Sequence, residues 1–368
     1  MALLGRAREL EAAGRDIIHL EVGEPDFPTP QVVCRAAHRL LEGGRVGYTA
    51  ALGQPQLRRA IARFYKSREG VELNWRRVVV TPGASGALSL AMAATLDPGD
   101  GLLLGEPGYP SNRHLASLFS LHPRILPLTP QTGFQPDAAT VSAAWRGNVR
   151  ALLLTSPANP TGAVVEADSL QAMVETVADH GGWLLMDEIY RGLIYGTPPP
   201  TVLHFTDRAW VINSFSKYFA MTGWRLGWLV VPEEAVEVVE RLAQNLFLSP
   251  SALAQEAAQA VFHPEVLAEL ERRREVLQRR RDYLLSALEG LGFRVPVPPR
   301  GAFYLYADCS SLGADGVTLA HRFLEEGGVA VTPGVDFDPA GGRSYLRFAF
   351  TAPLERLQEA VVRLERLL

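Results

Sequence analysis

Trp183-Leu184-Leu185-Met186-Asp187-Glu188-Ile189-Tyr190 is an apolar run closed by an acid. A strand that is apolar at every position, rather than at alternate ones, is buried on both faces. Six other short runs share this character: Val78-Val79-Val80, Leu102-Leu103-Leu104, Ile125-Leu126, Leu152-Leu153-Leu154, Val211-Ile212 and Leu229-Val230-Val231. Helix-length segments such as Ser169 to His180 lie between several of them. The alternation predicts an α/β fold with a doubly covered, mostly parallel sheet. In such sheets ligands bind beyond the carboxyl ends of the strands. Asp187 and Ser214 both fall at such ends.

The character changes after Pro232. Residues 233–291 follow helical periodicity, and Leu267, Leu270, Leu277, Leu284, Leu288 and Leu291 mark one face of a long helix. Arg272-Arg273-Arg274 and Arg279-Arg280-Arg281 lie on that helix and read as a solvated face paired with Glu269, Glu271 and Glu275. Gly301 to Tyr306 and Tyr345 to Phe350 read as strands and 318–327 as a helix, which together predict a smaller α+β domain. No internal repeat or low-complexity segment is visible.

Composition narrows the function. The chain has 368 residues with net charge −4, 47% apolar and 21% charged, a soluble enzyme's balance with no footprint for nucleic acid. Its two cysteines, Cys34 and Cys309, are not metal-spaced and imply no disulfide framework. The eight histidines show no metal spacing either, so no metal is expected. The start of the chain is charged too early for a secretory signal. The uncharged stretch from Val78 to Leu96 is long enough to span a membrane, but Pro82, Gly83, Ser85, Gly86 and Ser89 interrupt it. A cytoplasmic protein is expected.

Lys217 stands out within Ser214-Phe215-Ser216-Lys217-Tyr218-Phe219-Ala220-Met221-Thr222-Gly223-Trp224-Arg225-Leu226-Gly227. Lysine is rarely placed in an apolar stretch without a purpose. An acid closing one strand and a lysine just past the next is the arrangement a pyridoxal phosphate enzyme needs: the amine holds the aldehyde as a Schiff base, and the acid pairs with the pyridinium nitrogen. The turn Thr81-Pro82-Gly83-Ala84-Ser85-Gly86 follows a strand and opens a helix, so its N–H groups and dipole form an anion site.

These motifs, in this order, resemble the class I/II aminotransferase family of fold-type-I pyridoxal phosphate enzymes, from Glu21 to Phe350. The resemblance implies a large cofactor-binding domain over 26–270, a small domain over 271–368, and an N-terminal arm with part of the small domain over 1–25. It makes Lys217 the Schiff-base lysine and Asp187 the partner of the pyridine nitrogen. Tyr190 and Asn159, the latter in Ser156-Pro157-Ala158-Asn159-Pro160-Thr161-Gly162, share the cofactor's phenolic oxygen. Gly83, Ala84, Ser85, Ser214 and Arg225 match the phosphate ligands. Tyr109, in Glu106-Pro107-Gly108-Tyr109-Pro110, stacks on the ring. Arg347 clamps the substrate α-carboxylate beside Asn159, and Gly23 belongs to a loop closing over the substrate. Tyr48 reaches the phosphate of a second subunit, which implies a homodimer. Glu188 receives no role.

The function so implied is ping-pong transfer of an amino group between an L-amino acid and a 2-oxo acid. Two alternatives stand beside it. A β-eliminating C–S lyase would use the same lysine, aspartate and arginine. A non-enzymatic aminotransferase-like regulator would carry a DNA-binding module, for which the residues before Glu21 leave no room. Some aspartate transaminases carry lysine at the position of Ser85, so its absence weakens an aspartate assignment. Fold and cofactor do not specify the amino donor.

Overall fold

A computed structural model describes residues 2–44 and 46–368. Its strands are β1 (Ile18–His19), β2 (Val78–Thr81), β3 (Gly101–Glu106), β4 (His122–Pro127), β5 (Val149–Thr155), β6 (Trp183–Asp187), β7 (Trp210–Ser214), β8 (Gly227–Val230), β9 (Tyr304–Asp308), β10 (Val329–Ala330), β11 (Thr332–Pro333) and β12 (Tyr345–Ala349). The central sheet runs β2-β8-β7-β6-β5-β3-β4. It is parallel except for β8, which lies antiparallel between β2 and β7. All seven apolar runs fall in these strands, apart from Val231, which follows β8 directly.

Burial on both faces is visible residue by residue. Val78, Val80, Leu152, Leu154, Leu184 and Met186 belong to one core. Their neighbours Val79, Leu153 and Leu185 belong to another on the opposite face. A strand serving two cores has no position to spare for a polar side chain, which is why the runs do not alternate. β4, at one of the two sheet edges, departs from the pattern: only Leu126 of it is buried, and Ile125 is exposed.

Helices cover the sheet where turns demand them. The helix Gly83–Thr95 follows β2 directly. The helix predicted for 169–180 runs Ala167–Asp179 and buries Leu170, Met173 and Val177 at 3–4 spacing. A second lobe holds the antiparallel sheet β11-β12-β9. The N-terminal helix Ala2–Ala12 attaches to this lobe, because β1 pairs in parallel with β10 and Arg6 Nε donates to Glu325 at 2.6 Å.

The long helix is Pro264–Gly290, with Leu270, Leu277, Leu284 and Leu288 buried along it. The arginines on it are not uniformly solvated. Arg273 and Arg274 do pair with Glu269 and Glu271. Arg280, however, is buried, donates to both carboxylate oxygens of Asp26 at 2.7 and 2.9 Å, and donates to the Thr351 carbonyl at 2.5 Å. It ties the helix to the loop that carries Gly23.

Candidate active site

The sheet brings several chain-distant residues to one edge. Register sets Ser214 opposite Gly227, and Gly227 opposite Thr81, across β7, β8 and β2. Thr155 and Asp187 are opposite each other at the ends of β5 and β6. Asn159, Lys217 and the Gly83 turn therefore emerge from neighbouring strand ends.

The first feature of this edge is an anion cup. Gly83 has φ +69°, and a Cβ there would lie 2.8 Å from Arg225 Nη2. Glycine thus lets the guanidinium reach the mouth of the Gly83–Thr95 helix, whose first N–H groups are free for an anion. Arg225 itself is in the left-handed region, with φ +51°, and donates to the Thr222 carbonyl at 3.1 Å. Ser214 is buried beside it, with its hydroxyl 2.9 Å from Ser216 Oγ and 3.2 Å from the Leu226 carbonyl. The sequence did not mark Ser216, which also lies buried in this network. Ser85 is on the first turn of the helix with its side chain exposed.

The second feature is a lysine held in reach of two arginines and a carboxylate. Lys217 Nζ donates to the Gly23 carbonyl at 2.6 Å and lies 6.0 Å from the centre of the Tyr190 ring. Burial pulls its pKa down to about 8; Arg347 and Arg225 add to this, while Glu24 and Asp187 oppose it. Asp187 accepts the Ile189 N–H at 3.0 Å, and burial pushes its carboxyl up to about 6. Among the described residues no cation forms an ion pair with it. Its neighbour Glu188 points into a separate buried network, accepting from Thr201 Oγ1 at 2.8 Å and the Val202 N–H at 3.2 Å.

The third feature is a polarised cluster around Arg347. Its Nη1 donates to Asn159 Oδ1 at 3.0 Å; its Nη2 donates to the Glu21 carbonyl at 2.5 Å and to Thr332 Oγ1 at 3.2 Å. Arg347 Nε is buried and has no partner among the described residues. A buried orphan donor is costly, and a carboxylate is its natural complement. Because Asn159 spends its oxygen on Arg347, its amide donors remain for another acceptor. Tyr190 is buried with its hydroxyl 3.0 Å from that of Tyr304. Tyr109 caps the helix Pro110–Leu118, is 47% exposed, and lines one cleft with Asn159. Tyr48 is 85% exposed, and no hydrogen bond or ring contact joins it to this site among the described residues. Thr332 and Tyr304 touch the site without any motif to announce them.

The two-lobed architecture is that of the fold-type-I α/β transferases, and a buried lysine set between two arginines suits amino-group chemistry. The profile of the family "aminotransferase class I and II" matches residues 15–364, and the chain belongs to this family. It is similar to a valine–pyruvate aminotransferase of Mycobacterium tuberculosis, with 39% identity over 97% of this chain and 92% of that one. It is 36% identical to an aspartate/prephenate aminotransferase of Thermus thermophilus over 100% of this chain and 95% of that one. Among solved structures, an aminotransferase from Mycobacterium tuberculosis superposes with TM-score 0.97 at 38% identity, covering 100% of this chain and 95% of that one. The aspartate aminotransferase from Thermus thermophilus with maleate gives TM-score 0.94 at 34% identity, over 100% and 96%. The chain is a transaminase acting on amino and 2-oxo acids.

Proposed function

We propose that this transaminase works with pyridoxal 5'-phosphate held by Lys217, Asp187 and the Gly83–Arg225 cup. The observation that carries the proposal is the charge pattern at the strand ends. A buried carboxylate without a cation, a lysine with lowered pKa and an arginine-backed helix mouth complement a pyridinium, an aldehyde and a phosphate respectively. When bound, the cofactor supplies an electron sink for the bond pair at the substrate Cα.

The chain's own residues would do the rest. Lys217, neutral in useful amounts near pH 8, is nucleophilic enough to hold an aldehyde, and once released its amine can move the Cα proton. Asp187 keeps the ring nitrogen protonated. Tyr190 and the free amide donors of Asn159 bond the ring oxygen and stabilise its ionised form. Gly83, Ala84, Ser85, Ser214 and Arg225 hold the phosphate. Tyr109, with half its surface open, offers a flat face to the ring. Arg347 takes the substrate carboxylate on its Nε edge, under the Gly23 loop.

We read the donor side chain as uncharged. Arg347 and Arg225, the cations that act on Lys217, each have their anion in this scheme, and Arg113, which lines the cleft with Asn159, is paired with Glu106 at 2.8 Å. The valine–pyruvate relative supports the same direction. Tyr48, so exposed, is read as reaching the phosphate of a second copy in a homodimer; Leu246 and Leu248 are likewise exposed apolar residues. Size-exclusion with light scattering tests the dimer, and a monomer would refute it. Cys34 and Cys309 are unpaired, and among the described residues no helix is long and apolar enough to cross a membrane; both agree with a cytoplasmic role in amino acid metabolism.

The test of the function is a panel of donors with pyruvate and 2-oxoglutarate as acceptors. Valine and other apolar donors should outpace aspartate, and no donor should turn over without an acceptor. Pyruvate and ammonia released without an acceptor would mean β-elimination instead.

A further inference from the structure

We infer that Tyr304 is a positioning residue whose hydroxyl donates to Tyr190 and so leaves the Tyr190 hydrogen free for the cofactor's ring oxygen. The inference rests on the cofactor reading proposed above.

Tyr304 opens β9, is almost fully buried, and contacts elements that carry three of the proposed site residues. Its hydroxyl is 3.0 Å from that of Tyr190. Its ring carries the Arg347 guanidinium 4.2 Å from the centroid, and Phe337 closes the other side at 4.6 Å. A Cβ on Gly23 would fall 2.6 Å from the Tyr304 hydroxyl. The carbonyl of that same glycine accepts from Lys217.

The direction of the hydroxyl pair follows from counting hydrogens. A tyrosine hydroxyl has one hydrogen to give and lone pairs to accept with. Burial pushes both tyrosines up, so both stay neutral at physiological pH. If Tyr190 donated to Tyr304, it would have no hydrogen left for the ring oxygen. The Tyr304 hydroxyl has no other hydrogen-bond partner among the described residues, so Tyr190 is the acceptor available to it. The cation over the Tyr304 ring draws density from its hydroxyl and strengthens that donation. A hydroxyl that accepts one bond donates the next more strongly. Tyr304 therefore supports the ionised ring oxygen through Tyr190.

The test is a spectroscopic pH titration of the protein loaded with pyridoxal 5'-phosphate, following the visible band of the lysine-bound cofactor. Tyr304→Phe keeps the ring and removes the donor. It is expected to raise the titration midpoint by about 0.3 to 1 pH unit. In a Tyr190→Phe background the same substitution should add no shift, because its effect passes through Tyr190. Replacing Tyr304 with 3-fluorotyrosine, which keeps the shape and sharpens the donor, should move the midpoint down; this arm decides the matter if Tyr304→Phe does not fold. A midpoint unmoved by either replacement, or an equal shift in both backgrounds, would overturn the inference alone. A wild-type protein with no such band would remove the cofactor reading and this inference together.

Discussion

Replacing Arg347 by methionine isolates the proposed carboxylate clamp. Methionine keeps a long, unbranched stem between the Tyr304 and Phe337 rings and removes every donor. In the wild type the guanidinium spends three hydrogens on Asn159, Glu21 and Thr332 and keeps Nε unpartnered. A substrate carboxylate would engage Nε and, on the same edge of the guanidinium, Nη2, taking over the bond that Nη2 now gives Thr332. Two charge-assisted bonds at about 1.5–3 kcal/mol each come to about 3–6 kcal/mol. At about 1.4 kcal/mol per decade, kcat/KM for an amino acid should fall by about two to four orders of magnitude. The control is an amine of the same side chain without the carboxylate. Its slow single-turnover reaction should change by less than about tenfold, since it never used the clamp. The assay is single-turnover decay of the visible band with each donor. Equal losses for the amino acid and the bare amine would refute the clamp and make Arg347 a structural residue.

Asp187→Asn tests the proposed electron-sink partner from the stability side. The folded carboxyl titrates near pH 6, against an ordinary aspartate value of 3.8. A folded pKa above the unfolded one penalises the charged form, so wild-type stability falls as pH rises from about 4 to 6 and stays low above that. The cofactor-free Asp187→Asn protein should therefore be more stable by about 2–3 kcal/mol at pH 7.5, a gain that vanishes near pH 4, while activity collapses; denaturant melts at both pH values check this. Gly83→Ala forces a Cβ against Arg225 and a side chain into φ +69°. Cofactor binding, read by equilibrium dialysis, should weaken about 10- to 100-fold, while the cofactor-free protein loses about 1 kcal/mol to the left-handed alanine. Arg280→Leu leaves Asp26 without its partner, so urea denaturation should show a loss of about 2–4 kcal/mol; an unchanged midpoint would mean the pair contributes nothing.

The seven core strands were legible because each serves two hydrophobic layers and so is apolar throughout. Only β4 broke the rule: Leu126 alone of its residues is buried, whereas β2 at the opposite edge is buried throughout. The Gly83 turn and the acid at the end of β6 were legible because their signals are local: a strand end, a glycine, a helix start. Arg280 was not. Its neighbours Arg279 and Arg281 carry the same charge, and its partner Asp26 lies 254 residues away. Tyr304 and Thr332 were hidden for the same reason, being ordinary strand residues until β9 and β12 pair and β11 adds to their sheet. Tyr48 carries a signal only in the family resemblance, because its proposed partner is another copy of the chain.

The central claim is that Lys217 carries the cofactor, and the composition makes it unusually easy to test. The chain contains two lysines, Lys66 and Lys217. Lys66 is on the surface and paired with Glu72. Protein loaded with pyridoxal 5'-phosphate and reduced with borohydride should carry one stable adduct, located by peptide mass spectrometry on Lys217 and missing from Lys217→Ala. An adduct on Lys66 alone, or a colourless protein that takes up none of the cofactor, would contradict the account.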